Sequence, residues 1–167
     1  MLVSKRRVAA RPIRMATIKV DVRPTLMLVG MQIRTRPMSP EIPALWPRFV
    51  QRIDEIDDAL EPRVSYGVMW PGETMDVLHY MAAISVSKSG RIPPGMTPLT
   101  LAAGQYASFR YPLSGLGQGF GEIFNRLMPA SAFVQTKAPF FERYDEAFDP
   151  GNPQSLVEIC LPVAPRG

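Results

Sequence analysis

Along this chain the hydrophobic period switches between strand-like and helical spacing twice, in the same order. From Ala44 to Leu60, apolar Leu45, Trp46, Phe49, Val50, Ile53, Ile56 and Leu60 recur at helical spacing, while Arg48, Gln51, Arg52, Asp54, Glu55 and Asp57 fill the other face. A strand-like segment, Thr17 to Ile33, bent at Pro24, precedes this helix. Val64 to Trp70 and Val77 to Val86 follow it, joined by the turn sequence Pro71-Gly72-Glu73. Arg91 to Pro98 carries three prolines and reads as a linker. The order then begins again: a strand over Leu99 to Tyr111, a helix over Gly115 to Leu127 with Phe120, Ile123, Phe124 and Leu127 on one face, and strands over Phe140 to Phe148 and Leu156 to Val163. Leu45 to Ile53 is loosely echoed by Gly119 to Leu127. The expectation is an α+β fold of duplicated β-α-β-β units, about 17–90 and 99–165, with antiparallel sheets, a pseudo-two-fold axis and a ligand groove between the repeats.

Charge separates a tail from this unit. The sequence has 19 basic and 15 acidic residues. Lys5, Arg6, Arg7, Arg11 and Arg14 all precede Met15, so removing those five leaves 14 basic against 15 acidic residues, a formal net charge of −1. Residues 1–15 are therefore expected to form a basic, disordered tail and 16–167 one domain, so the high isoelectric point gives no basic face for nucleic acid. Val8-Ala9-Ala10 is too short for a secretory core, and no apolar run is long enough to span a bilayer. The lone Cys160 permits no internal disulfide. The expected location is the cytoplasm, without a membrane partner.

Several chemistries are disfavoured by what is missing. The glycines of Gly115-Leu-Gly-Gln-Gly-Phe-Gly121 lack the Lys-Ser/Thr ending of a phosphate loop and the spacing of a dinucleotide fingerprint. One histidine, His79, and one cysteine give no set of metal ligands and no triad partner. The reading is of no metal, no cofactor and no assigned catalytic residue.

The most informative segments are Ala103-Gly-Gln-Tyr-Ala-Ser-Phe109, Lys137-Ala-Pro-Phe-Phe-Glu-Arg-Tyr-Asp145, and the closing strand from Ser155 through Ile159-Cys-Leu-Pro-Val163. Together they contain a Gly-x-Tyr-Ala strand, a Pro-x-x-Glu-x-Tyr strand and an Ile-x-x-Pro-Val ending. In this the chain, from about Thr17 to Pro165, resembles the GyrI-like small-molecule-binding domain, also found as the effector-binding domain of AraC-type and MerR-type multidrug regulators. The resemblance implies two repeats with the ligand between them, and an acidic residue supplied by the Pro-x-x-Glu-x-Tyr strand, here Glu142.

Strand alternation puts Glu142 on one face with Phe140 and Tyr144. A carboxylate on an aromatic face loses hydration, so it either becomes neutral or is answered by a cation, from Arg143, Arg110 or Lys137 of the chain itself or from a ligand. Hydrophobic organic cations are the ligands such a wall suits, since aromatic faces attract desolvated cations. Tyr66 and Trp70, i and i+4 on the matching strand of repeat one, are expected to face the same groove, and Phe120 to reach it from the second helix. Trp46, Phe49 and Phe124 are read as helix-to-sheet packing. Met27, Met31, Met69, Met81 and Met128 would let a pocket re-pack around different shapes.

The resemblance leaves three roles open: a stand-alone drug-binding sensor or sequestering module, a hydrolase of electrophilic cytotoxins using the same glutamate, and a protein-binding gyrase inhibitor. The residues before the first strand are too few for a helix-turn-helix reader, so no sequence-specific DNA contact by this chain is expected. A separately encoded regulator or a second copy would be its macromolecular partner.

Overall fold

A computed structural model describes residues 17–167; the basic tail lies outside them. Nine strands and two helices follow in the order β1 Lys19–Arg23, β2 Leu26–Thr35, α1 Glu41–Val50, β3 Ser65–Pro71, β4 Leu78–Ser85, β5 Thr97–Leu101, β6 Gly104–Pro112, α2 Leu116–Glu122, β7 Phe133–Gln135, β8 Phe140–Tyr144 and β9 Leu156–Pro165. A π-helical turn, Ile123–Leu127, continues α2. Every strand pairing is antiparallel.

The main sheet runs β1-β6-β9-β8-β3-β4-β2-β5, with β7 added beside β9. Exchanging β2 with β6, β4 with β9, β3 with β8 and β1 with β5 reproduces that order from the other end, which is the expected duplication. The two repeats meet at β3 and β8, where Gly67 pairs with Glu142.

Two expected strands are each divided. Thr17 to Ile33 breaks around Pro24, which has no N–H to give a ladder, so β1 pairs with β6 while β2 pairs with β4 and β5. Leu99 to Tyr111 breaks at Ala102-Ala103, and the linker 91–98 already enters β5 at Thr97. The leading strand of each repeat thus crosses to the outer edge of the other. The first helix is also shorter than its periodicity: it starts at Glu41, whose N–H reaches the Ser39 hydroxyl at 3.1 Å, and ends at Val50. A 3-10 turn, Ile53–Glu55, and a positive φ of 61° at Asp58 follow, so Ile53 and Ile56 reach the core from irregular chain.

Both faces of the sheet are covered. On one, α1 buries Leu45 and Phe49 against Val29, Met31, Met69, Tyr80, Ala82 and Ile84, while the α2 arm buries Ile123 and Met128 against Ala107, Ile159, Leu161 and Val163. On the other, Leu28, Val68, Met81, Leu101, Tyr106, Phe141 and Cys160 form one cluster. That cluster draws on strands from both outer parts of the sheet, so the sheet curls around it. Phe49 is wholly buried, and Phe49→Ala is expected to cost about 3–5 kcal/mol, read as a lowered urea midpoint with an unchanged denaturant slope.

Candidate functional site

In an antiparallel pair, residues opposite each other share a face. Gly67 lies opposite Glu142, and Met69 opposite Phe140, so Glu142, Phe140 and Tyr144 stand on the helix-bearing face at the junction of the repeats. Glu142 is 5% exposed. The Tyr144 hydroxyl donates to its Oε2 at 3.0 Å and the Tyr80 hydroxyl to its Oε1 at 3.3 Å. The Trp46 indole N–H in turn donates to the Tyr80 oxygen at 2.9 Å.

Aromatic rings roof this carboxyl. The Trp46 ring from α1 meets Tyr144 edge-on at 5.3 Å, and Tyr144 meets Phe148 at 4.7 Å. Phe120 from α2 and Phe124 from the π-helical turn that continues it stack on one another at 6.2 Å, and both meet Phe140 edge-on. Trp46 and Phe120 pack on the same core cluster, which brings the two helices over one patch of sheet. Trp46 and Phe120 are half-buried, and Phe124 is exposed.

No basic side chain answers Glu142 among the described residues. Arg143 points to the other face and meets Glu61 at 3.3 Å, while Arg110 lies 3.7 Å from Glu158. Burial therefore pushes the Glu142 carboxyl up to about 7, against the smaller opposing effect of the hydroxyls of Tyr144 and Tyr80. The Tyr80 and Tyr144 hydroxyls are pushed well above their ordinary range, first by burial and then by the neighbouring carboxylate.

Space for this arrangement comes from Gly67. A methyl group there would lie 2.3 Å from the Tyr80 hydroxyl and 3.0 Å from Glu142 Oε1. Gly67→Ala is expected to destabilise the fold by about 1–3 kcal/mol and to shift the emission of Trp46, whose indole is tied to Tyr80. Unchanged melting and emission would show that the strands yield without disturbing the carboxyl.

Of the residues singled out in the sequence, the structure brings Glu142, Tyr144, Phe140 and Phe120 together. It does not bring Tyr66 and Trp70 with them. Tyr66 lies opposite Arg143, and its alternation partner Trp70 opposite His79, which puts both on the other face of the sheet. There the Tyr66 hydroxyl donates to Glu61 at 3.0 Å, and burial pushes it up to about 12. Trp70 stacks on His79 at 5.5 Å. The strand periodicity was sound but the parity of the pairing register was not: a one-residue offset exchanges the faces. Tyr80 and Gly67 are additions that sequence reading missed, and Trp46 does more than pack. A buried tyrosine on β4 needs a partner for its hydroxyl, which is the one signal that could have singled out Tyr80.

The comparisons with known proteins agree with this architecture. The chain is 29% identical over 148 residues to the transcriptional regulator BrlR of Pseudomonas aeruginosa, covering 87% of this chain and 54% of that protein, so it spans about half the length of this curated relative. Among solved structures, SAV2435 bound to tetraphenylphosphonium superimposes with a TM-score of 0.71 at 22% identity, covering 89% of this chain and 94% of that one. The EcmrR C-terminal domain does so with a TM-score of 0.68 at 10% identity, covering 91% and 99%. At those identities the likeness establishes the fold. The profile of the GyrI-like small molecule binding domain matches residues 17–164, the whole of the duplicated unit, and the chain belongs to that family.

Proposed function

We propose that this chain binds hydrophobic organic cations between α1 and α2, against the face of the sheet that holds Glu142, as a sensing or sequestering module, with Glu142 as the countercharge. The observation that carries the reading is a buried carboxyl that no basic group of the described chain neutralises, held by two tyrosine hydroxyls under a roof of aromatic rings. A delocalised cation would restore the charge balance that burial removes, and the rings would supply cation–π attraction of about 0.5–2 kcal/mol each. Trp46, Tyr144, Phe140 and Phe120 would form the walls, with Tyr80 and Tyr144 orienting the carboxylate. That SAV2435, a protein of the same fold, has been solved with tetraphenylphosphonium supports the ligand class.

Entry requires the roof to part. Pro47 interrupts the hydrogen bonding of α1, and α2 carries Gly117, Gly119 and Gly121 before it passes into a π-helical turn, so neither helix is held as rigidly as an uninterrupted one.

Charge selectivity is the test. Tetraphenylphosphonium should bind at micromolar level, about −8 kcal/mol, and triphenylphosphine oxide, a neutral aromatic analogue, at least tenfold more weakly, both followed by Trp fluorescence. Equal affinities would remove Glu142 from the reading. A carboxyl titrating near 7 is also suited to general-base work, so product mass is followed in parallel with an electrophilic ester. Turnover that vanishes in Glu142→Gln would replace binding by hydrolysis.

A further inference from the structure

The face of the sheet that bears no helix holds a cleft of about 240 Å³, lined by Arg23, Glu61, Tyr66, Tyr106, Phe141 and Arg143 among others. Its construction is opposite in charge to the surroundings of Glu142 on the helix-bearing face. Arg23 reaches it from β1 and Arg143 from β8, the two repeats each contributing one guanidinium.

Their carboxylate partners do not use all the donors. Arg23 meets Glu158 through one nitrogen at 2.8 Å; its Nε–H is buried without an acceptor among the described residues, and the guanidinium end is what stays part exposed to the cleft. Arg143 meets Glu61 through one nitrogen at 3.3 Å. A guanidinium offers five N–H donors in a planar fork, so each retains donors for a further acceptor. Of the charged residues that line the cleft, two are guanidiniums, Arg23 and Arg143, and one is a carboxylate, Glu61; Glu158, the partner of Arg23, lies outside the lining.

The walls are aromatic. Tyr66 and Tyr106 both lie against Phe141, at 5.7 and 5.6 Å between ring centroids, and the Arg23 guanidinium sits 6.0 Å from the centre of the Phe141 ring. The volume falls below the roughly 300 Å³ at which pockets for drug-sized ligands begin, so the cleft is sized for a single ring. Carboxylate geometry matches the guanidinium fork, and a flat ring matches these walls.

We propose that this cleft is a second ligand site, for a small aromatic monocarboxylate, independent of the Glu142 site and lying across the sheet from it. The site needs no movement of the helices, because none of its lining residues comes from α1 or α2.

Benzoate is the probe, with benzyl alcohol as its neutral counterpart and chloride as a bare anion. The side-chain N–H resonances of arginine are followed by NMR in the wild-type chain, the Arg23 and Arg143 signals being assigned by through-bond correlation to their backbone resonances. Benzoate should move the Arg23 and Arg143 signals saturably at millimolar concentration, while benzyl alcohol and chloride leave them in place. Arg143→Gln, checked for an intact melting transition, should weaken benzoate roughly tenfold or more, the worth of one charge-assisted contact. Because the wild-type spectrum is itself decisive, a variant that fails to fold leaves the test standing. Absence of a saturable shift at Arg23, or equal shifts with chloride, would overturn the proposal.

Discussion

Glu142→Gln is expected to raise the stability of the protein above neutral pH and to flatten its dependence on pH below it. The folded-state value of about 7 lies above the ordinary 4.5, so between those limits the folded chain holds a proton that the unfolded chain has released. Stability from this group is fully present below about pH 4.5, falls as pH rises towards 7, and is level beyond. The difference amounts to about 3 kcal/mol, a large fraction of a domain's net stability. Glutamine cannot ionise, and its amide still offers an oxygen to one tyrosine hydroxyl and an N–H to the other oxygen, so the term disappears without orphaning Tyr80 or Tyr144. Urea unfolding across pH, wild type against variant, measures it. Parallel curves would mean that Glu142 is ionised in the fold at all these values, hence paired or hydrated.

The second large effect falls on binding. The same substitution should weaken tetraphenylphosphonium by about 1.5–3 kcal/mol, since that cation has no hydrogen-bond donor and loses the Coulombic attraction of a desolvated carboxylate, while triphenylphosphine oxide is nearly unaffected. Trp46→Ala should instead weaken both ligands, because what it removes is apolar wall and a ring edge, not charge. It also leaves the Tyr80 oxygen without the indole donor, so Trp46→Phe separates loss of wall from loss of that hydrogen bond. In the wild type, cation affinity should rise roughly tenfold per pH unit below about 7 and level off above it, since the cation needs the carboxylate and must displace its proton.

Much of this is legible in the amino-acid sequence itself. The helical runs carrying Phe49 and Ile123 and the short β-rich segments around them repeat in order, and repeats of that kind close about a two-fold axis because each buries what the other exposes. Glu142 could be singled out because a carboxylate flanked at i±2 by Phe140 and Tyr144 is chemically odd, whatever the register. Its partners across the strand pair were another matter. Ser65-Tyr-Gly-Val-Met-Trp70 is apolar on both alternations because both faces of the sheet are covered, so nothing in its own letters tells which face holds the carboxyl. The answer lies in the pairing of Gly67 with Glu142, a property of two segments 75 positions apart (142 − 67). Likewise Trp46 and Phe49 occupy one helix face and look equivalent in sequence. Phe49 is wholly buried, while Trp46, at the rim, finds a hydrogen bond to Tyr80.

The strand exchange at the edges was illegible for a related reason. Pro24 announces a break but not a destination, and whether β1 folds back on its own repeat or crosses to β6 depends on long-range pairing. That crossing also creates the second cleft, since Arg23, the last residue of β1, is carried beside Phe141 of the other repeat.

A bound cation should ionise a carboxyl that the empty protein keeps protonated. This is tested most directly by the side-chain carboxyl carbon resonance of Glu142, assigned from the signal lost in Glu142→Gln. The spectrum is recorded at about pH 6, roughly one unit below the group's own midpoint, with and without saturating tetraphenylphosphonium. The resonance should lie near the protonated position in the free protein and move to the ionised position on binding, with release of about one proton per cation bound. A resonance that stays at the protonated position while the cation is bound, or that is already ionised in its absence, would contradict it.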